Sequence, residues 1–131
     1  MMIALWGGHG CDEKVQRDCL SNISMDCAPL YAPEFQTIWE ETLIPRCALA
    51  GGACHSAEGA QGNLAFTDAD ASHQALVDTS SGVVLPGDVA CSPLMVTLES
   101  ADPSLVMPPG QPLSEAERCA IRQWIHEGAL H

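Results

Sequence analysis

The chain has 131 residues, enough for one domain with a core and too few for two that stand comfortably alone. A net charge of −12 with only five Lys and Arg argues against nucleic acid and against an anionic membrane surface, both of which are bound through basic residues. It suits docking to a basic protein partner, or acidic residues that simply keep a monomer soluble.

Three Trp, two Phe and one Tyr make a thin core for this length, which leaves room for something else to fill it. Seven cysteines, at 11, 19, 27, 47, 54, 91 and 119, fit an oxidising, extracytoplasmic compartment. The number is odd, so one thiol is left over unless some carry a cofactor.

The chain opens on MMIALWGGHGC, an apolar run too short and without the basic residues of a secretory leader, and reads as a truncated or mis-started one. The small residues before Cys11 are similar to a bacterial lipoprotein cleavage site, although Gly8 stands where Leu is usual, so Cys11 is a candidate lipid anchor. No apolar run of about 18 residues exists, and no transmembrane segment is expected. Residues 11 to about 33 are polar and rich in turn formers, an irregular extension in which Cys19 and Cys27 are expected to bridge each other.

In PEFQTIWEETLIPRC, the residues Phe35, Ile38, Trp39 and Leu43 fall on one helical face, and Pro45 is expected to stop the helix. The helix leads into RCALAGGACHS (46 to 56), where Cys47 and Cys54 enclose six residues and His55 follows. Three readings are open at this point: a haem-attachment site with a stretched spacer, a small disulfide loop beside a solvated histidine, or half of a metal site. Gly59, Gly62 and Asn63 then mark a loop, and DADASHQALVD (68 to 78) reads as a short helix capped by Asp70. GVVLPGD leads to Ser92-Pro93, an N-cap with proline at the first helical position, opening SPLMVTLES with Met95 on its apolar face.

LVMPPGQP cannot be helical, because its prolines fix φ and push preceding residues towards extended geometry. The last element, LSEAERCAIRQWIHEGA, is the most strongly marked: Ser114 and Glu117 form a capping box, Gly128 is the stop, and Ile121, Trp124 and Ile125 face the core. No strand is expected; Val83 to Leu85 is too short. Neither a GxxxxGK loop nor a GxSxG elbow occurs, so nucleotide binding and hydrolase chemistry have little support.

A helix ending at Cys…Cys-His, VLPGDVACSPLM, the loop MPPGQPLSEAE and the final IRQWIHEGA together resemble a small c-type cytochrome domain. They are similar in particular to the single-haem domains of planctomycete and myxobacterial secreted proteins and lipoproteins. The resemblance covers residues 33 to about 129. It implies an all-α, cytochrome c-like domain at 33–131 with long loops wrapped round a haem, preceded by an irregular extension at 1–32.

It implies one covalent haem c, with Cys47 and Cys54 as attachment thiols, His55 as proximal and Met107 as distal ligand, and a location in the periplasm or at the cell surface of a bacterium. The function expected is single-electron transfer by a carrier or a subunit of a redox complex, not an enzyme. The usual attachment motif is C-x-x-C-H, and here Gly51 occupies the first-cysteine position. Lengthening the loop to Cys47 costs about 0.7 kcal/mol by closure scaling, and Gly51 and Gly52 let the extra residues bulge.

Cys91 and Cys119 are expected to form a disulfide tying the loop-bearing half to the last helix, which accounts for every cysteine but Cys11. His73, His126 and His131 are expected to be exposed, each an alternative to Met107 as ligand. The competing functional readings are a haem-free, disulfide-stapled secreted binding module and, less favoured, a copper or zinc site built from Cys54, His55 and Met107.

Overall fold

The computed structural model describes residues 18–48, 66–108 and 110–131. The leader-like opening with Cys11, the spacer glycines Gly51 and Gly52, the Cys54-His55 pair and the loop at Gly59, Gly62 and Asn63 lie outside the described residues.

The described residues form helices and irregular segments, with no strand among them. In chain order these are α1 (Phe35–Ile38), a π-helix (Trp39–Ala48), α2 (Ala69–Val77), α3 (Pro93–Leu98) and α4 (Glu115–His126). The all-α architecture expected from the sequence is present. α4 packs on α1 and α3, and α1 also packs on α2. Phe35, Ile38, Leu43, Leu76, Met95, Leu98, Ile121, Trp124 and Ile125 form the buried centre. The apolar side chains expected on the first and last helices therefore meet in one core, and Met95 is a core residue as its spacing implies.

Pro45 does not stop the first helix. The chain passes at Trp39 from α into a wider π coil and runs on to Ala48 with Pro45 inside it. Proline removes a donor and crowds the carbonyl of the preceding turn. Here Pro45 and Glu40 are both solvent-exposed, so water can satisfy a carbonyl left without its N–H, and the π register relieves the crowding. Trp39 Nε1 donates to the buried Ser72 Oγ at 3.2 Å, joining this helix to α2.

α2 is capped by Asp68 and not by Asp70. Asp68 is extended, and its Oδ1 accepts from the Ala71 N–H at 2.8 Å, so the helix starts two residues earlier than expected. Asp70 falls in the first turn, where its charge still suits the helix dipole. Ser92 stands at the N-cap of α3 with Pro93 after it, but its hydroxyl does not cap. Fully buried, it donates to the Asp88 carbonyl at 2.6 Å and accepts from the Leu85 N–H at 2.9 Å, closing the turn between them.

α4 has both halves of the expected capping box: Ser114 Oγ accepts from Glu117 N at 3.1 Å, and Glu117 Oε1 from Ser114 N at 3.1 Å. It ends at Gly128, whose φ of 109° needs a residue without Cβ strain.

The cysteine pairing differs from the one expected. The bonds are Cys19–Cys91 and Cys27–Cys119, not Cys19–Cys27 and Cys91–Cys119. A disulfide needs Cα atoms within about 7 Å. The segment from 18 to 34 is irregular and laid lengthwise: Leu20 N donates to Ala90 O at 2.8 Å and Leu30 N to Ala116 O at 3.0 Å. Each cysteine therefore meets a partner on the body beneath it and not its neighbour along the strip. Gln123 completes the second junction, with Nε2 3.3 Å from the Cys27 carbonyl.

Non-reducing peptide mapping is expected to recover Cys27 joined to Cys119 and Cys19 joined to Cys91. Because the Cys27–Cys119 bond spans 92 residues, replacing both its cysteines by serine is expected to cost about 4 kcal/mol, a fall of roughly 15 °C in Tm in a thermal melt.

Candidate functional site

Of the four residues singled out in the sequence, Cys47 and Met107 lie within the described part. Cys47 is in the last turn of the π-helix and takes part in neither of the two disulfides. Met107 lies in the proline-rich stretch between α3 and α4. Both are half-buried, and both pack against the same apolar cluster as Trp39 and Leu94. The Met107 thioether is the kind of soft donor a haem iron accepts, and the Cys47 thiol the kind of group that adds to a haem vinyl, so the residue chemistry fits that group.

The Met107 stretch is tied at several points. On its N-terminal side, Asp102 O accepts from Val106 N at 2.9 Å, and the Met107 N–H reaches the Thr97 carbonyl in α3 at 3.4 Å. Asp102 Oδ1 also accepts from Ser104 N at 2.9 Å. On its C-terminal side, Arg46 Nη2 donates to Gln111 O at 2.9 Å and Pro112 O at 3.4 Å. Gly110, with φ 77°, provides the turn between.

Arg46 Nη1 also donates to Glu117 Oε1 at 3.0 Å and Oε2 at 3.3 Å. Glu117 is 6% exposed, and its position in the capping box fixes its orientation. The buried Thr42 hydroxyl lies 3.4 Å from Glu117 Oε2, and Tyr31 OH is hydrogen-bonded to the same hydroxyl. A polar chain thus runs from Tyr31 in the extension through Thr42, Glu117 and Arg46 to the carbonyls that follow Met107. Burial raises the Tyr31 phenol above its ordinary value; the Thr42 hydrogen bond opposes this and the Glu117 charge adds to it.

A second charged group brackets the stretch from its start. Glu99, just after α3, faces Arg118 at 3.6 Å and Arg122 at 3.5 Å. These are ion pairs beyond hydrogen-bond geometry, and Glu99 Oε1, Arg118 Nε and Arg122 Nε have no hydrogen-bond partner. Glu115 also pairs with Arg122, and with Arg118 at 2.9 Å. Burial alone would raise the Glu115 carboxyl, but its bonds to these guanidiniums outweigh this and hold it below its ordinary value.

The histidines divide. His126 and His131 are exposed, as expected, with His131 Nε2 2.5 Å from Asp70 Oδ1. His73, expected to be exposed, is half-buried: its Nε2 is 2.8 Å from Ala129 O and its ring meets Phe35 edge-on at 5.0 Å. Among the described residues, no group of three or more His, Cys, Asp and Glu is arranged to hold a metal ion. Sequence reasoning missed the role of Arg46. It is 71 residues from Glu117, and no spacing rule links the two.

Residues 52–111 match the family described as Planctomycete cytochrome C. The match takes in Cys54, His55 and Met107, and begins after Cys47. Comparison with curated proteins and with solved structures finds no match.

Tyr31 is the chain's one tyrosine, so alkaline absorbance titration reads it alone. It is expected to ionise above the ordinary value of about 10. The raised folded value contributes stability that is fully present below that value and is lost as pH rises through the folded one. In Tyr31→Phe this alkaline phase of the unfolding profile is expected to vanish.

Proposed function

From the match of residues 52–111 to the planctomycete cytochrome C family, we propose that the protein carries single electrons on one covalently attached haem c. Cys47 and Cys54 would hold the group by adding S–H across its two vinyl C=C bonds, which forms a C–S and a C–H bond at each and oxidises nothing. His55 and Met107 would hold its iron. When bound, haem c supplies a one-electron iron couple. The Met107 thioether would favour the reduced form of the group, and Cys47 and Met107 both pack, half-buried, against the apolar cluster.

The observation that carries this reading is the span of the family match, which begins two residues before Cys54 and ends just beyond the Met107-Pro-Pro-Gly turn. Met107 lies there on a stretch tied to α3 and to Arg46, a placement suited to a ligand that must not be displaced. Cys47 rests on the C-x6-C-H spacing and on its own position against the core. Domain limits of 33–131, with an extension at 1–32 and Cys11 available for a lipid, complete the proposal. No helix among the described residues is long and apolar enough to cross a membrane. The two disulfides support secretion into an extracytoplasmic space. A charge of −12 favours a basic redox partner that docks by charge and leaves quickly. The same disulfides would equally serve a haem-free, stapled binding module, and the first experiment below separates the two.

Protein produced in a host that attaches haem c is expected to be coloured, and to keep its colour on the polypeptide through acid extraction. A colourless chain overturns the haem reading and leaves the stapled module; a colourless chain that holds copper or zinc leaves the metal site. In the haem-bearing protein, Met107→Ala is expected to lower the reduction potential by a few tenths of a volt, a fraction of the roughly 0.8 V that axial ligation spans. An unchanged potential removes Met107 from the site.

A further inference from the structure

Resting on the haem reading above, we infer that Arg46 is a positioning residue: one guanidinium couples the end of the helix that carries Cys47 to the stretch that carries Met107. Arg46 immediately precedes Cys47 in the last turn of the π-helix. Its Nη2 holds the carbonyls of Gln111 and Pro112, four and five residues beyond Met107. Its Nη1 holds Glu117, and Glu117 cannot follow Arg46 if the latter moves, because its carboxylate also closes the α4 capping box.

The two nitrogens of one planar fork are therefore anchored on a helix start and on the loop that leads into it. The guanidinium side chain is 28% exposed and its carboxylate partner 8%, so the junction is largely shielded from water. A lysine at this position keeps the charge but has no planar fork with which to reach a carboxylate and two carbonyls at once.

On the N-terminal side, the described ties of Met107 include a 3.4 Å contact to Thr97 and the Asp102 turn. Without Arg46 the C-terminal arm of the stretch loses its side-chain anchor. The methionine sulfur then spends more time away from its ligand position, although nothing in the covalent attachment changes. In this role Arg46 acts through the backbone that carries Met107.

Two readouts test this in Arg46→Ala and, in case that variant folds poorly, Arg46→Lys. Deuterium uptake of a peptide covering residues 104–112 is expected to be at least tenfold faster in both, whether or not haem is present. In the haem-bearing protein, imidazole, which competes with a methionine ligand, is expected to bind at least tenfold more tightly than to the unaltered protein, with the haem still retained through acid extraction. Unaltered uptake over 104–112 in either folded variant overturns the strap. Faster uptake with unaltered imidazole affinity overturns the coupling to the ligand. A colourless unaltered protein overturns the haem reading, and with it the ligand consequence, while the uptake comparison still decides whether Arg46 holds the loop.

Discussion

The buried carboxylate of Glu117 is the point on which the rest of this structure depends. It closes the N-terminus of α4, receives the Arg46 guanidinium and lies against the Thr42 hydroxyl, so three segments distant in sequence meet at one group. A buried ion pair adds little net stability compared with a well-packed apolar substitute, whereas removing one partner typically costs about 3–5 kcal/mol because a charge is left without compensation. That asymmetry makes the pair a device for specifying geometry: the chain must bring the π-helix, the proline-rich stretch and α4 together in one arrangement or leave the carboxylate stranded.

The arrangement compensates for a core that is short of aromatics. Phe35 and Trp124 are in ring contact, and His73 joins them edge-on. Around that centre, stability is supplied by connections of another kind. Two disulfides fasten the irregular extension along the helical body, one at Cys91 beside α3 and one in α4. A four-residue charged group joins the end of α3 to α4. All of these converge on the two helices that flank the Met107 stretch, which is where the proposed haem site would need its stiffness.

What could be read from the sequence follows from the range of each interaction. α4 was legible in detail because Ser114, Glu117 and Gly128 act within a few residues of their targets, and Ile121, Trp124 and Ile125 show the helical period. Met95 was legible as core for the same reason, and the irregular Met107 stretch because proline geometry is local. The start of α2 was misplaced by two residues because Asp68 and Asp70 are both competent caps, and only the backbone decides between them. Pro45 lies inside the π-helix because its cost depends on whether the lost carbonyl faces water, which follows from the packing of the whole helix and not from local spacing. Cysteine pairing, the half-buried His73 and the Arg46–Glu117 contact depend on tertiary placement, so no local rule could supply them. Of the candidate site, residue types and order were legible, and the family match covers Cys54, His55 and Met107. The tether on Met107 was not.

The proposal turns on which cysteines carry haem and which carry each other. Mass spectrometry of unreduced peptides, from protein made in a host that attaches haem c, decides this in one measurement. The peptide spanning residues 47–55 is predicted to bear the mass of one haem linked through both Cys47 and Cys54. A Cys47–Cys54 disulfide with no haem on that peptide would contradict it.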